Sequence, residues 1–369
     1  MRPIFALLVA SLVPSAAFAG RCDTLAKRAA SAKGDAAVTA WRNIATCDAA
    51  LGQAEFPRSM KNAGSVESLV PLSLAAIELD LFQPVWEMMH KLPSEHRADV
   101  ATGIGAACEA TPKVRVFLQG SFAGLRGPDF LRWQPAYDAC GDAELVTWVE
   151  GEVATPPASP YNDKYNALAN ILIHHKGHEA LPTLEQAAIK AGAGEGPFSM
   201  LSELIQSIAK PQGYAAKADP KVVDAVEQTL LRVAKAVPAE QARLVADRLY
   251  TAGNEAAAAS LLPAIYPDRV QPDGGMLWAV AGIESCDDKA MVHWAAVSLK
   301  PERMSADEVL APTLQATKRK LKCGGDLQII GSTEPLADAS AAKGWAAQIV
   351  DRLASEGTDA KMKEAKVKR

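Results

Sequence analysis

The chain has 369 residues, of which 49% are hydrophobic and 22% are charged, and its formal net charge is −4. This composition is typical of a folded globular protein. It gives no reason to expect a nucleic-acid partner, because binding to a polyanion calls for a basic surface. The length suggests two or three domains or one extended array.

The first 19 residues have the three parts of a secretory signal peptide. Arg2 supplies the positive start, residues 4–13 are apolar, and Ala17-Phe18-Ala19 is a cleavage site of small residues. The apolar stretch is too short to cross a bilayer, which needs about 20 residues. We therefore expect a mature chain that begins at Gly20, has no transmembrane segment, and reaches the bacterial periplasm or the extracellular medium.

Residues 20–325 have the pattern of successive helices separated by short Gly, Asp or Pro breaks. In the clearest one, 219–238, apolar residues recur every three or four positions, Asp219 is a favourable N-cap and Pro220 suits the first turn. Alternation of the kind that marks a strand is nearly absent. The sequence thus predicts an all-α fold, followed by a linker and terminal helix over 326–356 and a basic flexible tail over 357–369.

Two weak internal repeats support an array. Residues 168–189 align without gaps on 244–265, and the turn Gly177-x-Glu179-Ala180 matches Gly253-x-Glu255-Ala256. Residues 140–148 and 286–294 also share a pattern of Cys, Asp, Val and Trp at equal spacings. Both matches favour a repeated helical hairpin. In the second match, the cysteine is expected at the end of one helix and the aspartate at the start of the next.

The hairpin with the turn "GHEALPTL" resembles a HEAT repeat, and the turn Gly34-Asp35-Ala36 near the start is similar to that of tetratricopeptide hairpins. The full tetratricopeptide consensus and the regular HEAT Asp and Arg positions are absent. The resemblance implies an α-solenoid or superhelix of antiparallel helical hairpins. It also implies a protein-binding or scaffolding role, with protein partners that the sequence does not identify.

The six cysteines are expected to form disulfides, because the chain has no C-x-x-C motif and its leader directs it to an oxidising compartment. Cys22 and Cys47 lie at nearly equal distances on either side of Gly34, so a hairpin that turns there would bring them together. Two further pairs are expected to join neighbouring hairpins, namely Cys108 with Cys140 and Cys286 with Cys323.

The segment "HHKGHEALP" contains the candidate metal ligands His174, His175, His178 and Glu179. In a continuous helix, His174 and His178 would share one face, which is a spacing that zinc sites use. However, Gly177 is a helix-ending residue at a position where the repeat predicts a turn. The equivalent turn at Gly253 has no histidine, which favours a structural role for this cluster.

Glu284-Ser285 resembles the catalytic Glu-Ser of lytic transglycosylases, but the residues that follow read as an ordinary helix rather than the family's next motif. No nucleotide-binding or nucleophile-elbow motif occurs in the sequence, and we expect no cofactor. The sequence favours an exported protein-binding or scaffolding module over an enzyme. The alternatives are an α-helical envelope enzyme acting on glycan or peptide bonds and a metal-binding periplasmic protein.

Overall fold

The structure is a computed structural model that describes residues 16–124, 126–194, 196–210, 217–299 and 326–365. It divides into two compact units. The first comprises the chain up to Val153 together with residues 162–176, and the second comprises residues 154–161 together with the chain from Gly177 onward. No helix in these described ranges is long and apolar enough to span a membrane.

The first unit is helical throughout its described residues. Its helices are α1 (Ala16–Ala29), α2 (Asp35–Cys47), α3 (Ala49–Ala63), α4 (Val66–Glu78), α5 (Phe82–Lys91), α6 (Ser94–Ala106), α7 (Pro112–Gly124), α8 (Gly127–Leu131), α9 (Gln134–Ala139), α10 (Ala143–Val153) and α11 (Asp163–Lys176). Each helix packs mainly on helices close to it in sequence, as in the contacts of α2 with α3 and α4.

Close packing of α2 against α3 depends on Gly52. A Cβ at this position would lie 2.5 Å from the Cβ of Ala45, so a larger residue would force the two helices apart. The approach allows the indole Nε1–H of Trp41 to donate a 2.9 Å hydrogen bond to the Gly52 carbonyl. Trp41 is fully buried against Phe56, with ring centroids 5.3 Å apart. These contacts form the core at the start of the unit.

Two of the three expected disulfides are confirmed. Cys22 and Cys47 are joined with their Cα atoms 5.8 Å apart, and Cys108 and Cys140 are joined at 5.3 Å. The first bond ties α1 to the end of α2, as the symmetry about Gly34 predicts. The third expected pair includes Cys323, which lies outside the described residues.

The second unit begins with helices and ends with a sheet. Its helical elements are a 3-10 turn (Gly177–Ala180), α12 (Leu181–Gly192), α13 (Phe198–Ser207), α14 (Pro220–Ala236), α15 (Ala239–Thr251), α16 (Glu255–Ile265), a second 3-10 turn (Pro267–Arg269) and α17 (Ala339–Ser355). The strands are β1 (Met276–Cys286), β2 (Lys289–Leu299), β3 (Asp326–Gly331) and β4 (Asp359–Glu364). The prediction for α14 is confirmed, since the Asp219 side chain caps the Lys221 N–H at 2.9 Å.

The four strands form one mixed sheet in the order β3-β1-β2-β4. β1 is antiparallel to both β2 and β3, whereas β4 is parallel to β2. One face packs on α17 through Ala281, Trp294 and Ala346. Near Met276, the opposite face packs on Leu262 of α16 and on Tyr266. β1 is therefore covered on both faces along most of its length.

The predicted all-α fold is wrong, because this sheet lies largely within residues predicted to be helical. Residues 276–286 are buried at nearly every position, so they show no alternation of apolar and polar side chains that would reveal a strand. Their alanines also favour a helical interpretation. Further along, 326–356 contains β3 as well as α17, and the predicted flexible tail begins with β4.

The two internal repeats have different outcomes. Gly177 and Gly253 both have positive φ, 55° and 85°. Gly177 opens the 3-10 turn directly after α11, and Gly253 lies between α15 and α16, so each marks a helix end, as the first alignment predicts. The second alignment is wrong. Asp142 caps α10 by accepting the Leu145 N–H at 3.0 Å. Its counterpart, Asp288, instead lies in the two-residue turn between β1 and β2. Short acidic turns suit both structures.

Candidate functional site

The four predicted metal ligands are divided between the two units. His174 and His175 form the last turn of α11 in the first unit, whereas His178 and Glu179 lie in the 3-10 turn that opens the second. No group of three or more His, Cys, Asp or Glu side chains within the described ranges is arranged to hold a metal ion. The structure therefore adds no support to the metal hypothesis.

His175 is held by the backbone of α9. Its Nε2 lies 2.9 Å from the carbonyl oxygen of Tyr137. A carbonyl oxygen can only accept, so Nε2 must carry the proton, and it is not available as a ligand while this bond persists. The Tyr137 hydroxyl is itself buried and donates to the Leu118 carbonyl at 2.5 Å. Burial raises the pKa of Tyr137 far above its usual range, so the phenol stays neutral and structural.

Asp138, the residue after Tyr137, lies in the field of both imidazoles of α11. Burial raises the pKa of the half-buried Asp138 carboxyl, and the opposing effects of His174, His175 and a hydrogen bond from Gln134 do not fully offset it. The rings of His174 and His175 lie edge to face with centroids 5.4 Å apart. This cluster combines a carboxyl group with two imidazoles, but the His175 ring is hydrogen-bonded to the backbone of α9. It therefore best accounts for how α9 and α11 are joined.

A second acid–imidazole pair lies on the sheet, where sequence interpretation did not place it. Glu284 is on β1, and its Oε2 is 2.9 Å from Nε2 of His293 on β2. The Glu284 side chain is 8% exposed and that of His293 is 21% exposed. Ser285 points to the opposite face of the strand from Glu284, because side chains alternate along a strand. The Glu-Ser pair is thus not one functional group.

The signal that could have revealed this pair is the hairpin turn. If Asp287-Asp288 is taken as a two-residue turn, Cys286 pairs with Lys289, and the register places Gly282 opposite His293. Glu284 then lies on the same face, diagonally across from His293. Asp287 has φ of 46°, a left-handed conformation that aspartate adopts more readily than most residues with a side chain. The glycine that usually follows in a two-residue hairpin turn is replaced by Asp288, so the hairpin has only a weak signal in the sequence.

Glu284 is the sole buried carboxylate, and the sole buried residue among the Asp, Glu, Lys, Arg and His of the described ranges. The His293 imidazole is its hydrogen-bond partner. Met291 lies directly opposite it on β2, and Gly282 lies two residues before it on β1. A hydrolytic site of the acid–base type usually combines two or more such groups around a cleft. The described residues provide one paired carboxylate in a sheet, which fits a structural pair.

Comparisons with known proteins do not assign this geometry to a family. Scans of protein-family models, of curated proteins and of solved structures each give no match to this chain.

Proposed function

We propose that the protein is an exported, HEAT-like helical-repeat module that binds and scaffolds other proteins. The observation that carries this proposal is the local order of helix packing. In the first unit, α4 contacts α5, α6 and α7, and in the second, α14 contacts α12, α13, α15 and α16. Stacking of sequence neighbours leaves long, accessible helical surfaces, which repeat proteins use for binding.

Export is supported by the disulfides and the leader. Two cysteine pairs are bonded within the described ranges, and disulfides persist mainly outside the reducing cytosol. Residues 1–19 have the composition of a cleavable signal. We infer that the protein resides in the bacterial periplasm or the extracellular medium.

The enzymatic alternative receives less support from the distribution of charged groups. Glu284 alone is buried among the Asp, Glu, Lys, Arg and His side chains of the described residues, and its partner is a single histidine. Hydrolysis of envelope glycan or peptide by the purified protein, abolished by Glu284→Gln, would favour the enzymatic function instead.

The binding proposal can be tested with a surface variant. Leu244 and Tyr250 are apolar side chains of α15 that are 39% and 50% exposed. Exposed apolar side chains are the ones that a partner protein can cover. Replacing both with glutamate should change the free energy of unfolding by only about 0.5 kcal/mol per site. The variant should therefore stay folded, and a loss of binding would report on the surface alone.

The experiment is cross-linked affinity purification of the full-length protein from its native envelope, followed by rebinding of each recovered protein in pure form. We expect a partner that binds the wild-type chain at fixed stoichiometry and whose affinity falls about tenfold in Leu244→Glu/Tyr250→Glu. Val116→Glu, at a 51% exposed position of α7, is the matched control. Failure of every recovered protein to rebind would overturn the proposal.

A further inference from the structure

We propose that the outer edge of β3 pairs antiparallel with the β3 of a second copy, joining two four-stranded sheets into one. This surface goes beyond the binding function proposed above and does not depend on it. Its basis is an edge of the sheet in the second unit to which no other described strand pairs, where β3 is the first strand in the order β3-β1-β2-β4. An unpaired edge is a template for another strand.

The direction of each β3 backbone group follows from one bond. The Ser332 N–H donates to the Ala279 carbonyl at 2.8 Å, so Ser332 faces β1. Backbone groups alternate along an antiparallel strand, and Ile330 and Gln328 therefore also face β1. Leu327 and Ile329, by contrast, direct their N–H and C=O groups away from the sheet. Gly331 does the same.

The outer edge is accessible. Leu327 is 43% exposed, and Gly331 is exposed and has no side chain to hinder another backbone. Across the part of the chain that the structure describes, no hydrogen bond is recorded to the outward groups of Leu327, Ile329 or Gly331. These three alternate residues of β3 therefore have backbone N–H and C=O groups that no described residue occupies.

The opposite edge of the sheet differs in a way that identifies β3 as the pairing edge. β4 has the sequence "DAKMKE", with four charged residues in six, and its lysines Lys361 and Lys363 are exposed. Exposed lysine is a common means of preventing edge-to-edge pairing. β3 has the sequence "DLQIIG", with one charged residue and neither lysine nor proline.

A second copy fits this edge because the strand is self-complementary. A two-fold axis through Ile329 places Ile329 opposite its own copy and Leu327 opposite Gly331, where the glycine leaves room for the larger side chain. On the other face, Gln328 falls opposite Ile330, and position 326 falls opposite Ser332. No like charges meet in this register, and every pair of outward residues can exchange two hydrogen bonds.

The test uses the full mature chain and measures its mass by sedimentation velocity as the concentration is raised. One strand pair is smaller than a standard interface, so we expect a dissociation constant of about 1 to 100 µM. Amide exchange at Leu327, Ile329 and Gly331 should slow as dimer forms, because these N–H groups become bonded.

Ile329→Pro removes an outward N–H without affecting the bonds to β1, and proline is tolerated at such edge positions. We expect this variant to remain monomeric with an unchanged circular dichroism spectrum. The control is Glu364→Pro. The Ala365 N–H donates to Trp294 on β2, so the N–H of residue 364 faces outward on the opposite edge, and this variant should dimerise like the wild type. A wild-type chain that stays monomeric throughout the range, equal dimerisation by Ile329→Pro, or loss of dimer in Glu364→Pro would overturn the proposal.

Discussion

Glu284 on β1 and His293 on β2 lie 2.9 Å apart, and we interpret them as a structural pair. Removing the imidazole leaves a carboxylate that is 8% exposed without its partner, so we expect His293→Ala to lower the free energy of unfolding by about 2–3 kcal/mol. Replacing both residues in Glu284→Leu/His293→Phe should cost much less, since no buried polar group is left without its partner. Urea unfolding of the single and double variants measures the difference. Equal losses in the two variants would contradict this role.

The raised pKa of Asp138 predicts how the free energy of unfolding depends on pH. Burial raises the pKa of this carboxyl in the native state, so the folded chain holds the proton more tightly than the unfolded chain. Asp138 therefore disfavours folding at neutral pH, and this penalty is lost as the pH falls through the raised pKa towards the ordinary range.

Asp138→Asn removes the carboxylate and should increase the free energy of unfolding at pH 7. The gain should shrink between pH 7 and pH 4, as the wild-type carboxyl takes up its proton. Urea unfolding of both chains across this range is the measurement. A gain that does not change with pH would show that the substitution acts through packing rather than through charge.

At the scale of elements, the Cys108–Cys140 bond fixes the end of α9 to the end of α6. Both sulfurs are fully buried, and the bond closes a separation of 32 residues. Loop entropy predicts a stabilisation of about 3–4 kcal/mol for a closure of this length. The double variant Cys108→Ala/Cys140→Ala should therefore unfold at lower urea concentration than the wild type. The same loss of stability is measured in Cys22→Ala/Cys47→Ala for comparison. A shift of less than about 1 kcal/mol would mean that packing alone holds this junction.

Helices in this chain are predictable where local signals agree. In α14, an aspartate cap, a proline in the first turn and a regular apolar face all point to the same structure, and the structure confirms it. The local sequence signals of β1 and β2 do not agree in this way. β1 is buried on both faces, both strands contain several alanines, and the turn between them has no glycine. Their strand character therefore depends on α17 and α16, which cover them from elsewhere in the chain. The Glu284–His293 pair was missed for the same reason.

For the molecule as a whole, the processed N-terminus is a direct test of export. Cleavage after Ala19 would remove the first part of α1, which spans Ala16–Ala29, while leaving Cys22 in place to bond Cys47. We expect protein recovered from the native envelope to begin at Gly20 by N-terminal sequencing. A chain that retains residues 1–19 would contradict the proposed localisation.

The order of the cysteines has a consequence for how the chain matures. Each of the two described bonds joins a cysteine to the next one along the sequence, Cys22 to Cys47 and Cys108 to Cys140. In the export proposed above, the amino terminus emerges first, so each thiol meets its correct partner before any later cysteine is available. Oxidation in order of emergence therefore yields the native connectivity directly, and for these bonds maturation needs an oxidant but no isomerase to reshuffle mispaired sulfurs.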